Sequence, residues 1–199
     1  FGKDVRVFVP QIAMSAGTMI ALSSKEIVMG KQSNLGPIDP QFGGMSCAGI
    51  IEEFNEACRD VKANPAMANV WGPIISKYHP TFIGDCKKAM AWADTTVNKW
   101  LTENMFSAYD DAEARAKKVV DAPYSHSRHI HMDELVNLGL DIVRLEGLDD
   151  RQIDDCKDLQ DCVLTIHHSF MQTLSSTNAL KIVENHSGQA MIINASQQA

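Results

Sequence analysis

In the stretch VRVFVP, Val5, Val7 and Val9 alternate with Arg6 and Phe8, and Pro10 closes the run. A period of two over β-branched residues predicts a strand at 4–9. The pattern then changes. SAGTMIALS at 15–23 suits a short helix whose small first residues let it pack close to a sheet. EIVMG at 26–30 predicts a second strand, and SNLGPIDPQFGG at 33–44 is rich in turn residues. Strand, helix and strand within about 25 residues make a compact β–α–β unit, whose natural geometry is a parallel pair.

Longer helical periods follow. AGIIEEFNEACRDVKAN at 48–64 is amphipathic and ends at Asn64-Pro65. From Thr81 to Met105 the apolar positions Ala89, Trp92, Ala93, Val97, Trp100 and Leu101 recur at helical spacing. Trp92 and Trp100 lie on similar sides of that helix and could anchor the core or a subunit contact, with at least one expected in the core. Residues 111–122 are helical in pattern. Residues 131–146 read as a helix stopping near Gly139 and then a short strand, and 159–174 as another helix before the polar tail NASQQA. No internal repeat or low-complexity linker interrupts the chain.

Composition narrows the classes. With 199 residues, 45% hydrophobic and 22% charged, the chain has enough for one domain with a real core and a helical extension. A formal charge of -7 argues against a nucleic-acid partner, which needs a basic face. No apolar run approaches a membrane span and no signal peptide is visible. Cys47, Cys58, Cys86, Cys156 and Cys162 are odd in number and scattered, a pattern of reduced thiols in a cytosolic-type compartment. The chain opens at Phe1 without Met and is in a strand-like run within a few residues, so an upstream segment of a longer protein is expected.

The candidate chemistry centres on Ser15. A serine where a strand meets a helix can aim its hydroxyl and the following amide at one space, and Ala16 and Gly17 leave room for a carbonyl to approach. The same serine could simply cap the helix. In GPIDPQ, Asp39 could orient a catalytic group, but a turn residue capping its own backbone is the preferred reading. His126, His129 and His131 crowd together, and His167-His168 follow Cys162, yet no metal-ligand spacing is present. No phosphate loop occurs, so neither metal nor cofactor is implied. No histidine lies between Ser15 and His79, which makes a His-based triad less attractive.

The longer stretch VFVPQIAMSAGTMIALSSKEIVMGKQSNLGPIDPQ resembles the serine dehydrogenase proteinase family, Clp/crotonase-superfamily serine peptidases related to signal-peptide peptidase A. The likeness is dense over 7–41 and looser through 86–101, 126–146 and 167–186. It implies an α/β fold of repeated β–α units with a parallel sheet and a helical C-terminal portion. A peptidase core is expected at 1–146 and a helical extension at 147–199. It also implies a Ser15 nucleophile, an oxyanion donor in the Ala16 amide, and a lysine as general base. Lys88 in GDCKKAMAW best fits the base, with Lys87 beside it and Lys62 a weaker third. Such a lysine must be neutral, hence buried or near another cation. The glycine-rich strand end that supplies the family's second oxyanion donor is not in this sequence: either it lies upstream or the protein is inactive.

The implied substrate is a peptide or protein, the implied assembly a homo-oligomer. The protein is expected in the cytoplasm, with membrane association possible through the upstream segment. Two other classes stay open: a crotonase-like enzyme acting on acyl-CoA thioesters, and a non-catalytic scaffold of the same fold.

Overall fold

The valine alternation at the start of the chain becomes β1 (Arg6–Val9), and a two-residue strand β2 (Ile12–Ala13) follows it directly. The computed structural model describes residues 3–120, 128–146 and 159–195, which fall into two units, Phe1–Arg144 and Leu145–Ala199. In the first unit come α1 (Ala16–Leu22), β3 (Glu26–Met29), β4 (Asn34–Leu35), β5 (Gln41–Phe42), β6 (Met45–Ser46) and α2 (Cys47–Ala63). A 3-10 turn (Pro65–Met67), α3 (Ala68–Ile75), α4 (Phe82–Glu103), α5 (Ala112–Val120), β7 (Ile130–His131), α6 (Met132–Leu138) and β8 (Ile142–Arg144) complete it.

The expected β–α–β unit forms. β1 and β3 pair in parallel from Arg6↔Glu26 to Val9↔Met29, and β8 adds to the other edge of β3, also parallel, through Ile27↔Ile142. A second small sheet pairs β2 with β4 in parallel and β4 with β7 antiparallel. β3 reads as a continuous apolar run because the fold covers it on both faces. Ile27 and Met29 are fully buried in one core cluster with Ala21 and Leu22 of α1 and Val97 and Leu101 of α4. The fold is thus α/β with a parallel sheet, as the sequence implies.

In α4 the buried stripe is Cys86, Ala93, Val97 and Leu101, at helical spacing. Trp92 sits one residue round the helix from this stripe and is 64% exposed, while Trp100 is half-buried. Neither tryptophan is in the core, against expectation, because the smaller Ala93 and Val97 hold the seam where α4 meets the sheet.

Two features escape the periodicity. Within the turn-rich stretch, β5 and β6 form an antiparallel hairpin around Gly43 and Gly44, both at positive φ, 57° and 80°. Two consecutive left-handed residues are what a type I′ turn requires, and glycine adopts them without penalty. Helix α3 contains Gly72 and Pro73, which read as breakers, and none of its residues is buried. Pro73 is the sixth of its eight residues, past the first turn, so its missing N–H removes a bond to the Asn69 carbonyl.

The second unit contains α7 (Leu159–Ser176), then β9 (Ala179–Glu184) and β10 (Ala190–Asn194), paired antiparallel through Ile192↔Ile182. The predicted C-terminal helix is there as α7. The hairpin after it was not anticipated, although ALKIVE and AMIIN are apolar runs flanking Asn185 and Gly188.

Candidate active site

β2 and β4 run parallel and end side by side, so the residues after them, Met14–Ser15 and Gly36–Pro37, are neighbours. The Gly36 N–H donates to the Ala13 carbonyl at 2.7 Å. A Cβ on Gly36 would sit 2.2 Å from Met14 Sδ and 3.4 Å from Met14 Cα, so the absence of a side chain is what lets the thioether lie there.

Ser15 follows with φ 48° and ψ -111°. Among the described residues it is the one non-glycine at positive φ. These are the angles of the first central position of a type II′ turn, a place normally taken by glycine. The turn is closed by the Gly17 N–H donating to the Met14 carbonyl at 2.8 Å. Holding a residue with a Cβ there stores on the order of 1–3 kcal/mol. The serine does not act as a side-chain cap: its hydroxyl makes no capping hydrogen bond to α1, and it is half-buried. The Ala16 amide donates to no group among the described residues. Hydroxyl and adjacent amide are therefore both unengaged at a strained turn.

One helical turn on, Thr18 is 4% exposed. Its hydroxyl lies 2.9 Å from the Ala13 carbonyl and 2.8 Å from the Gly36 carbonyl, its single proton shared between them. A cavity of about 170 Å³ lies against Thr18 and Gly36, lined mainly by apolar side chains including Leu35, Ile38, Val97 and Leu135.

Asp39 is 3% exposed and has a different task from the expected self-capping turn. Its carboxylate accepts hydrogen bonds from the Ser46 hydroxyl and, at 3.1 Å, from the Ala48 N–H. Ser46 in turn accepts from the Gly49 N–H at 2.9 Å. Asp39 and Ser46 together cap α2, so the GPIDPQ turn is fastened to the helix that follows it.

The lysines stand elsewhere. Lys88 has its side chain 82% exposed, with Nζ 3.4 Å from Asp85 Oδ1 one turn back on α4. Lys87 and Lys62 are exposed as well, and no hydrogen bond joins any of the three to Ser15. None of the three is buried.

The other residues that raised a chemical question fall outside this junction. His129 Nδ1 lies 2.6 Å from Asn34 Oδ1, which ties the start of β7 to β4, and His126 lies outside the described residues. His167 and His168 stand together on α7, where burial first and the neighbouring His168 second lower the His167 pKa. Cys47 and Cys86 are fully buried in one cluster with Ile50. Burial, with Cys86 beside it, pushes the Cys47 thiol up to about 12. Cys47, Cys58, Cys86 and Cys162 are in no disulfide, and no group of three or more His, Cys, Asp or Glu able to hold a metal occurs among the described residues.

The model of the ClpP-like SDH-type serine proteinases matches residues 2–146, which take in β1 through β8 and the strained serine. The chain belongs to that family.

The chain is similar to two uncharacterized proteins of Methanocaldococcus jannaschii. It is 28% identical to MJ1495 over 138 residues, 68% of this chain and 41% of the relative. It is 27% identical to MJ0137 over 140 residues, 70% of this chain and 43% of the relative. The chain thus spans less than half the length of these curated relatives. No solved structure matches it. Among the described residues, no helix of the chain is long and apolar enough to cross a membrane.

Sequence reasoning singled out Ser15 and Ala16 but passed over Met14, Thr18 and Gly36, which build the turn around them. The signal was in the spelling of MSAGT and LGP. A hydroxyl one helical turn after a candidate nucleophile, and a glycine at the end of the neighbouring strand, are what a tight parallel junction needs.

Proposed function

We propose that this chain is the catalytic segment of a serine endopeptidase that cleaves peptide bonds through an acyl-enzyme on Ser15. The observation that carries the reading is the positive φ of a serine with no capping hydrogen bond, at the mouth of two parallel strands, within the span matched by a serine-proteinase family. Strain of this kind persists where the surroundings over-determine it, which is common at active sites.

Ser15 Oγ attacks the scissile carbonyl, and the Ala16 N–H receives the developing oxyanion. For the base we propose Lys88, on the strength of the family likeness at GDCKKAMAW. It takes the hydroxyl proton on attack and gives it to the leaving amine, and water then hydrolyses the ester. Its amine stands in solvent beside Asp85, so the dyad requires that bound substrate or a second subunit strip water from it. Residues 1–146 form the peptidase core in this reading and 147–199 an extension, in a homo-oligomer.

The test is labelling of the full-length protein with a fluorophosphonate, mapped by mass spectrometry, alongside casein hydrolysis. Adduct on Ser15, with both labelling and hydrolysis lost in Ser15→Ala, supports the peptidase. Folded protein that neither labels nor cleaves, yet turns over an acyl-CoA thioester, would replace it with the crotonase-like reading. Lys88→Met should lose hydrolysis while keeping its melting temperature; retained activity there, with loss in Lys87→Met, moves the base by one residue.

A further inference from the structure

We infer that Thr18 is the positioning residue of this site: its hydroxyl holds the Ser15 turn in its strained form by fastening α1 to the ends of β2 and β4. The inference rests on Ser15 being the nucleophile.

A turn that stores strain relaxes unless something opposes it. Backbone bonds on either side of Ser15, Gly17 N–H to the Met14 carbonyl at 2.8 Å and Met19 N–H to the Ser15 carbonyl at 3.0 Å, are local and can move with it. Ser15 itself contributes no side-chain cap. Thr18 differs because its hydroxyl reaches across 18 positions of sequence to the Gly36 carbonyl while also contacting Ala13, the residue just before the turn. Gly36 N–H closes the ring by donating back to Ala13. The segment Ala13–Thr18 is therefore pinned at both ends to Gly36, the residue just past the end of β4.

Space decides what happens without that hydroxyl. The cavity of about 170 Å³ lies against Thr18 and Gly36, so the first turn of α1 is not backed by packed side chains there. Thr18 is 4% exposed, so without its hydroxyl the Ala13 and Gly36 carbonyls lose a buried donor that both share. Released, Ser15 can rotate toward ordinary negative φ, and its Oγ then swings off the line of attack. A displacement of about an ångström at a nucleophile is enough to cost a hundredfold in rate.

The experiment measures the second-order rate of diisopropyl fluorophosphate labelling at Ser15 in the full-length protein, with thermal melts and with kcat and KM on a peptide substrate. Thr18→Val, which keeps the shape and removes the donor, should label about ten- to a hundredfold more slowly, with kcat lowered and KM little changed. Thr18→Ser, which keeps the hydroxyl, should label within a few fold of wild type. The pH at which labelling is half-maximal should not move, since Thr18 transfers no proton. Should Thr18→Val not fold, Thr18→Cys retains a weak donor in nearly the same place and should give an intermediate rate. A rate equal to wild type in Thr18→Val or Thr18→Cys, whatever the change in melting temperature, overturns the inference and leaves Ser15 as nucleophile. No adduct on Ser15 in folded wild-type protein overturns both.

Discussion

Ser15→Gly separates the strain at the turn from the chemistry of the hydroxyl. At φ 48° and ψ -111° a residue carrying a Cβ stores about 1–3 kcal/mol, and the Ser15 side chain returns nothing through a cap. Glycine adopts those angles freely but loses about 0.5–1 kcal/mol through its greater freedom in the unfolded chain. The difference leaves Ser15→Gly more stable by roughly 0.5–2 kcal/mol. Ser15→Ala keeps the Cβ, hence the strain, and should match wild type. For a chain of this size that gap corresponds to about 1–8 °C in melting temperature. Both variants lack the hydroxyl, so activity plays no part in the comparison. Circular dichroism melts and urea titrations, run side by side at one protein concentration, measure it. If Ser15→Gly melts at or below Ser15→Ala, the turn is not strained in solution and the argument from backbone geometry fails.

Removing the Asp39 carboxylate takes away a buried charged acceptor from the start of α2. Asp39→Ala should cost about 2–3 kcal/mol in urea unfolding and Asp39→Asn less, whereas equal stability would mean the cap is dispensable. A thiol reagent at pH 8 should modify Cys58 and Cys162 quickly in the native protein but Cys47 only on unfolding, because Cys47 is fully buried and burial raises its pKa. The same raised pKa makes the folded state hold a proton that the unfolded state releases near its ordinary value of 9.0. Stability should therefore be unaffected by this group well below pH 9 and fall as the pH rises past it, a dependence that Cys47→Ala removes. Gly139 ends α6 at φ 97°, with the Leu140 N–H reaching back to the Leu135 carbonyl at 3.1 Å. Gly139→Ala should cost about 1 kcal/mol, read from the urea midpoint.

How much of this was legible depends on how locally each feature is determined. The alternating valines of β1, the apolar run EIVM and the stripe Ala93, Val97 and Leu101 announce their elements because burial imposes a period on sequence. Gly139 announces a helix end because few other residues tolerate its φ. The β5–β6 hairpin was just as explicit in QFGGMS, but two-residue strands carry too little alternation to register. Trp92 misled because size suggests burial, while its place beside the seam of α4 is set by its neighbours. At the site, Ser15 was visible through its small neighbours, and its φ was not. The angle comes from β2 and β4 ending together, with Thr18 and Gly36 meeting across that gap, and no local pattern encodes a meeting of residues 18 positions apart. Lys88 shows the converse: residue type and family likeness single it out, yet its solvent exposure follows from the face of α4 it occupies.

The middle strand of the parallel sheet has a consequence for synthesis. Ile27 finds its partner on β1 at once, but its other neighbour, Ile142, leaves the ribosome more than a hundred residues later. At ordinary translation rates the nascent chain carries β3 with one open edge for on the order of ten seconds. Throughout that interval the stretch EIVM offers unpaired backbone groups and apolar side chains to any passing strand. Only the arrival of IVR at 142–144 closes it. Ribosome pauses between these two points lengthen the exposure, so codon choice across the helices that separate them should govern the yield of folded protein more than codon choice after Arg144.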